Sequence, residues 1–298
     1  MTDRVCAVFV TFNRKTLLRA CLQALQAQTR PLDCIVVVNN ASTDGTGELL
    51  SAEFPALPEI RLPVNRGGAG GFAEGLRWAF AEGFDWIWVM DDDVLAVPDA
   101  LEGLLTFGDY GDLIVPRKLV NGEPLVWESV WDARRCVPVT FNADVSFENG
   151  RPWVSTMFAN FEGTLMRRMI VEKAGLPDPR YFVGGDDTIY GFVASLHARV
   201  IYANCTAMRK DSPPGRRARL QYYMGLRNRF LHFEHLSRAG LPVARGGLLA
   251  GVCRQAAQDL GEILRHSGQR NLSNLLAVFQ GVRDGVRGRF GPPPWLQP

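Results

Sequence analysis

The chain has 298 residues, 47% of them hydrophobic and 21% charged, with a net charge of +2, an ordinary soluble balance with ample material for a core. That length fits one large domain, or one domain with a substantial appendage. The longest purely apolar runs, such as Val5 to Val10 and Ile35 to Val38, are far too short to span a bilayer. Met1-Thr2-Asp3-Arg4 leads straight into a strand-like segment without the features of a secretory signal, so a cytosolic protein is expected. Six scattered cysteines, with no CxxC pair or zinc-like grouping, read as reduced thiols.

Val5-Cys6-Ala7-Val8-Phe9-Val10 has the continuous apolar pattern of a strand buried on both faces of a parallel sheet. Leu17, Leu18, Cys21, Leu22 and Leu25 then recur at helical spacing, which predicts a helix facing that sheet. Cys34-Ile35-Val36-Val37-Val38 predicts a second buried strand, followed by the turn-rich Asn39-Asn40-Ala41-Ser42-Thr43-Asp44-Gly45. A short strand is expected around Ile60-Arg61-Leu62. After it come a glycine loop and a helix carrying Phe72, Leu76, Ala79 and Phe80 along one side. Trp86-Ile87-Trp88-Val89-Met90 predicts another strand, stopping at Asp91-Asp92-Asp93. This β-α-β-α order predicts an α/β fold with a mainly parallel central sheet, helices on its faces and functional residues at the carboxyl ends of the strands. From Ile114 to Tyr202 the pattern is mixed, with short strands and one helix near Arg168 to Ala174. Beyond Pro213-Pro214-Gly215 the chain reads helical through Leu220 to Leu236, Leu248 to Leu264 and Leu272 to Val286, and Gly291-Pro292-Pro293-Pro294 predicts a frayed end.

Three adjacent carboxylates repel one another and need a cation or a positive ligand. Alternate residues of an extended segment point the same way, so Asp91 and Asp93 can converge on one ion while Asp92 points elsewhere. Hard oxygen ligands suit Mg²⁺ or Mn²⁺, and Mg²⁺ is commonly shared with substrate phosphates. The competing reading is an acidic turn capping the helix after Pro98. The loop Asn65-Arg66-Gly67-Gly68-Ala69-Gly70-Gly71-Phe72 could bring backbone N–H groups to a phosphate or sugar. It lacks the third glycine of a dinucleotide-binding fingerprint and comes too late in the chain, which disfavours a Rossmann oxidoreductase. Asp186-Asp187, after Gly184-Gly185, admits two readings: caps at a helix start, or a general base whose pKa is raised by burial and by the adjacent carboxylate.

The net charge hides an asymmetry. Residues 1–208 carry 18 Lys/Arg against 26 Asp/Glu, whereas residues 209–298 carry 15 against 5. Such a split suits a basic C-terminal region that faces something anionic, and equally suits arginines coating solvated helices.

Taken in order, these segments resemble inverting glycosyltransferase family 2, over roughly residues 4 to 235. The resemblance rests on Val10-Thr11-Phe12-Asn13-Arg14, Asn39 to Thr46, Asn65 with its glycine loop, Asp91-Asp92-Asp93, Phe161-Glu162-Gly163-Thr164, Gly185-Asp186-Asp187 and Tyr222-Tyr223-Met224-Gly225-Leu226-Arg227-Asn228. The glycine loop, the aspartate triplet and the Asp-Asp-x-x-Tyr-Gly segment look most like the galactofuranosyltransferase branch, with rhamnosyltransferases nearby. The resemblance implies a GT-A fold over 1–212, with a nucleotide-binding half at about 1–95 and an acceptor half at about 96–212, followed by a basic helical region at 213–298. It further implies transfer of a sugar from UDP-galactofuranose or another UDP- or dTDP-sugar to a saccharide hydroxyl in cell-surface polysaccharide synthesis.

By the same resemblance, Thr11, Phe12, Asn13, Arg14, Asn40, Asn65 and Gly67 would border the nucleotide-sugar. Asp92 would lie near the ribose, and Asp91 and Asp93 would hold Mn²⁺ or Mg²⁺ on the diphosphate. Asp187 would be the catalytic base and Asp186 would orient hydroxyls. Trp153 would offer a flat face to a sugar, or else belong to the core. Where relatives often supply a metal-binding histidine, this chain has Ala207-Met208-Arg209-Lys210-Asp211, so Arg209 or Lys210 is expected to neutralise the diphosphate directly. Ile189 stands where the family commonly has an acidic residue. The basic C-terminal third is expected to rest on an anionic membrane beside a lipid-linked acceptor, or else to pack on the catalytic domain or in a homodimer; nucleic acid is not an expected partner. The rival functions are a nucleotidyltransferase on the same sheet and a non-catalytic scaffold binding an anionic polymer.

Overall fold

A computed structural model of the chain describes residues 3–125, 129–132, 136–140, 144–211 and 217–296. In chain order the first half gives β1 (Val5–Thr11), α1 (Lys15–Gln26), β2 (Cys34–Asn39), α2 (Thr46–Glu53), β3 (Glu59–Arg61), α3 (Gly67–Ala81) and β4 (Trp86–Asp91). Next come β5 (Leu95–Ala96), α4 (Ala100–Leu105), β6 (Leu113–Val120), β7 (Glu123–Pro124), β8 (Ser129–Asp132), β9 (Val137–Thr140), α5 (Asp144–Glu148) and β10 (Trp153–Ser155). They are followed by β11 (Thr164–Arg167), α6 (Arg168–Ala174), α7 (Asp186–Ser195), β12 (Val200–Lys210), α8 (Arg219–Arg238), α9 (Arg245–Arg265) and α10 (Leu272–Val286).

The main sheet runs β10-β12-β6-β11-β4-β1-β2-β3. Strands β3, β2, β1 and β4 are mutually parallel, as the apolar runs predict, because helices cover both of their faces. Strand β11 enters antiparallel between β4 and β6, and β12 pairs parallel with β6. Every residue of β1 is buried. Two apolar clusters flank the sheet: Phe9, Leu18, Leu22, Val37, Trp88 and Leu101 on one face, Val8, Val38, Phe72, Leu76, Ile87 and Tyr190 on the other. Helix α3 lies close against the sheet because Gly71 and Gly75 leave room only for the methyls of Val10 and Val8.

The register carries function. Val10 aligns with Asp91 and Thr11 with Asn39, so the loops after β1, β2 and β4 open at one edge. The C-terminal helices are built on a separate apolar cluster, with Tyr222, Tyr223, Leu226, Leu248, Val252, Ala277 and Val278 at its centre. The boundary expected at 212/213 falls outside the described residues. The expected frayed end is not what forms: Trp295 packs edge-on against Tyr223 at 4.9 Å, with the Arg219 guanidinium 3.7 Å over its ring. A proline-rich tail needs no hydrogen-bonded partner strand to dock, and here a half-buried aromatic side chain holds it.

Candidate active site

Strand β4 ends at Asp91, and the pleat sends its neighbours in opposite directions. Asp92 turns inward, where its carboxylate accepts from Thr11 Oγ1 at 2.6 Å and from Arg14 Nη1 at 3.0 Å. It is only 3% exposed, so it serves as a tie between β1 and β4, with little surface left for a ribose. Asp91 and Asp93 converge, and a third carboxylate joins them: Glu162, whose ligand oxygen lies within 4.8 Å of theirs. Glu162 reaches the cluster because β11 runs antiparallel to β4, and Gly163 N–H donates to Val89 just before the strand begins.

Two ammonium groups offset this charge. Lys210, at the end of β12, donates to Asp93 at 2.8 Å and to Glu162 at 2.6 Å. Lys118, from β6, pairs with the other oxygen of Glu162. Of the two cations expected after the last strand, Lys210 turns into the site and Arg209 lies exposed. Arg14 spans Asp92 and Asp93 from the opposite side. Burial, reinforced by Asp93 and Asp92, pushes Asp91 up to about 8. Burial, with Lys210 adding repulsion, brings Lys118 down to about 8.

Asp186 and Asp187 open α7, so both readings of this pair meet at one place, a helix start beside the acidic cluster. Burial raises both carboxyls above the ordinary carboxylate range. Asp187 accepts from the Thr188 N–H at 2.7 Å and feels the Lys118 charge, while its own charge acts on Asp91. Asp186 is turned inward and 6% exposed, a position that does not suit direct contact with substrate hydroxyls.

The segment preceding α7 is clamped from α8. Asn228 Nδ2 donates to the carbonyls of Gly184 at 2.7 Å and Val183 at 3.1 Å. Arg227, fully buried, donates to Tyr181 O at 2.7 Å and to the carbonyl of Gly291 in the tail. Gly185 must be glycine: its φ is +84°, and a Cβ would lie 2.6 Å from His232 Nε2. His232 and His235 are packing residues here, the first behind Gly185 and between Trp131 and Tyr181, the second bonded to Asp178 at 3.1 Å.

The nucleotide-side residues share one edge but divide into exposed and occupied groups. Phe12 is exposed, and Arg14 is about half exposed at 49% of its side chain. Asn13, with φ +54°, donates its N–H to Ser42 Oγ and accepts from Thr43 N–H, tying the first two loops together. Asn40 is buried, and its amide is engaged at both ends by backbone: Oδ1 accepts from Arg66 N–H at 2.8 Å and Nδ2 donates to Gly67 O at 3.0 Å. It therefore shapes the glycine loop and has little capacity left for reading a base. Asn65 accepts from Gly67 N–H at 2.8 Å, and Gly67, at φ +70°, meets the Phe182 carbonyl so closely that no Cβ would fit.

Trp153 is not brought to this edge. It pairs with Ala203, seven residues before Lys210 on β12, which separates it from the cluster by roughly 20 Å at strand rise. Its ring packs on Tyr110 at 6.0 Å and against the core, the second of the two roles the sequence allows.

The donor set fits a hard divalent cation. Asp91, Asp93 and Glu162 offer three convergent oxygens, and with Asp92 and Asp187 nearby the carboxylates outnumber Arg14, Lys118 and Lys210. A diphosphate entering so acidic a site needs added positive charge. Glu162 lies in a segment that carries the resemblance, yet nothing in its local pattern marks it as a metal ligand, and Lys118 is a lysine inside an apolar strand.

The chain matches the sequence profile described as Glycosyl transferase family 2 over residues 6–175. It is 32% identical over 213 residues to the galactofuranosyltransferase GlfT1 of Mycolicibacterium smegmatis, covering 67% of this chain and 66% of that protein. GlfT1 of Mycobacterium tuberculosis is 32% identical over 217 residues, with the same coverage. The chain thus spans just under two-thirds of the length of these relatives. Among solved structures, S. aureus TarS 1–349 superimposes with a TM-score of 0.56 at 15% identity, covering 96% of this chain and 92% of that one. GalNAc-T7, crystallised with UDP, GalNAc and Mn²⁺, gives a TM-score of 0.58 at 12% identity over 70% of this chain and 44% of that one. The fold is the GT-A α/β fold, and the chain belongs to glycosyl transferase family 2.

Proposed function

We propose that the chain is a metal-dependent, inverting glycosyltransferase that moves a sugar from a UDP- or dTDP-linked donor, with UDP-galactofuranose first, to a saccharide hydroxyl in cell-surface polysaccharide synthesis. The observation that carries the reading is the placement of the Asp187 carboxylate beside the Asp91, Asp93 and Glu162 cluster at the carboxyl edge of the sheet. The name borne by the 32%-identical relatives supports galactofuranose as the sugar, and the UDP and Mn²⁺ bound by GalNAc-T7 support the donor and metal classes. The working place of such an enzyme is the cytoplasmic face of a membrane carrying a lipid-linked acceptor. On this reading 1–212 is the catalytic domain, and 213–298 is a basic helical region that adjoins it through the α8 clamp.

In this mechanism Asp187 takes the acceptor hydroxyl's proton as the oxygen attacks the anomeric carbon. The bond to the nucleoside diphosphate breaks on the opposite face, and configuration inverts. Base catalysis of this kind contributes about 10²–10⁴-fold, or roughly 3–5 kcal/mol of barrier. Asp91, Asp93 and Glu162 would hold the cation, which when bound supplies charge neutralisation at the diphosphate. Lys210 and Arg14 add fixed positive charge at the same edge.

Incubation with UDP-galactofuranose, Mn²⁺ and a galactan acceptor, read by mass spectrometry, tests the proposal. Glycosylated acceptor and UDP in equal amounts support it. Pyrophosphate release would point to nucleotidyl transfer, and tight polymer binding without turnover to a scaffold. A second expectation arises from the α8 clamp. Asn228→Ala should lower kcat roughly 10- to 100-fold through misplacement of the base while donor Kd stays put. Comparison of kcat with calorimetric donor affinity checks it, and a parallel loss of both would mean general unfolding instead.

A further inference from the structure

Helix α10 is amphipathic the wrong way round for a helix that finishes a fold. The side facing α8 carries Ala277, Val278, Gly281 and Asp284, and Gly281 packs directly on the Tyr223 backbone. The outward side carries the large apolar residues: Leu272 is 70% exposed, Leu276 43%, Phe279 62% and Val286 62%. At 100° per residue these four and Arg283 fall within an arc of about 80°, along a stripe about 21 Å long. Leu264, also exposed, lies in the last turn of α9, which precedes α10 in the chain. Large apolar residues on one continuous outer face mark a contact surface more often than scattered single ones do.

The charge around the stripe identifies the contact. Residues 264–296 hold five arginines and one acidic residue, Asp284, which is 1% exposed and bonded to Tyr223 and Arg283. Arg265, Arg270, Arg287 and Arg289 are all exposed, at both ends of the stripe. A second copy of this chain would bring an equally basic rim to the same face and be repelled. A surface that is apolar within and anionic outside satisfies both features at once, as for helices that lie in the plane of a membrane. Among the described residues no helix is long and apolar enough to cross a bilayer.

We propose that α10 is a membrane-docking helix, seating Leu272, Leu276, Phe279 and Val286 among the acyl chains of an anionic lipid surface while the flanking arginines engage its headgroups. This deepens the membrane contact within the proposed function by naming the surface, and it holds or fails separately from sugar transfer. The full chain is sedimented with vesicles of phosphatidylcholine alone and of phosphatidylcholine with 30% phosphatidylglycerol. Binding to the anionic vesicles only is expected, weakened by salt. Phe279→Glu, at an exposed position, should weaken it at least 10-fold without lowering Tm or transfer to a water-soluble acceptor. Phe279→Trp should give a blue-shifted emission on the anionic vesicles. Absence of binding at low salt, equal binding to neutral vesicles, or binding indifferent to Phe279→Glu would overturn the proposal. A dimer by light scattering that Phe279→Glu disperses would likewise overturn it.

Discussion

Asp187→Asn should keep the fold and the donor affinity while kcat falls by about 10²-fold or more, the size of a lost general base. The substitution is nearly isosteric, and an amide oxygen can still accept from the Thr188 N–H that Asp187 now engages at 2.7 Å. What it removes is the ability to take a proton. Burial raises the Asp187 carboxyl above its ordinary value, so its protonation extends to higher pH than that of a free carboxylate. The sign follows: the base works only when ionised, so kcat rises as pH rises through a value above the ordinary carboxylate range. That acidic limb should vanish in Asp187→Asn. Asp186→Asn should be milder, because Asp186 is buried behind its neighbour and reaches substrate only through the position of the loop. Near-normal turnover by Asp187→Asn on a true acceptor would place the base elsewhere.

The sequence was most legible where one pattern has one physical cause. The apolar runs at Val5 to Val10 and Trp86 to Met90 could hardly be anything but doubly covered strands, and the three C-terminal helices form where the leucine spacing predicts them. Alternation at the end of a strand likewise separates Asp92 from Asp91 and Asp93. Local pattern fails where a role depends on what lies across the sheet. Glu162 joins the aspartates only because β11 inserts antiparallel beside β4, a pairing no short window of sequence encodes. Asn40 carries the right chemistry for a nucleobase, yet its partners are the backbone of a loop 26 residues further on. Trp153 shows the same limit from the other direction, since an aromatic residue near an edge strand looks alike in a core and in a sugar site.

Asp93→Ala should abolish the metal-dependent part of donor binding. Asp93, like Glu162, has both oxygens engaged: Arg14 holds one at 2.9 Å and Lys210 the other at 2.8 Å. A cation and an ammonium cannot both be satisfied by the same oxygen, so Lys210 would have to release that oxygen of Asp93 for it to serve as a ligand. Loss of Asp93 thus removes a ligand and also leaves Lys210 committed to Glu162, a second of the three donors. Losses of outer-shell partners typically cost 10–100-fold in metal affinity, and removal of a direct ligand should exceed that range. Calorimetry of UDP with and without Mn²⁺ provides the measurement. The parent chain should bind UDP far more tightly with the ion, whereas Asp93→Ala should bind weakly and equally in both conditions, its remaining affinity coming from Arg14 and the loop backbone. Lys210→Met separates the two effects, since it releases the one oxygen of Asp93 and the one oxygen of Glu162 that Lys210 holds and should strengthen Mn²⁺ binding in the absence of nucleotide. Unchanged UDP affinity with unchanged metal dependence in Asp93→Ala would remove the cluster from the donor site.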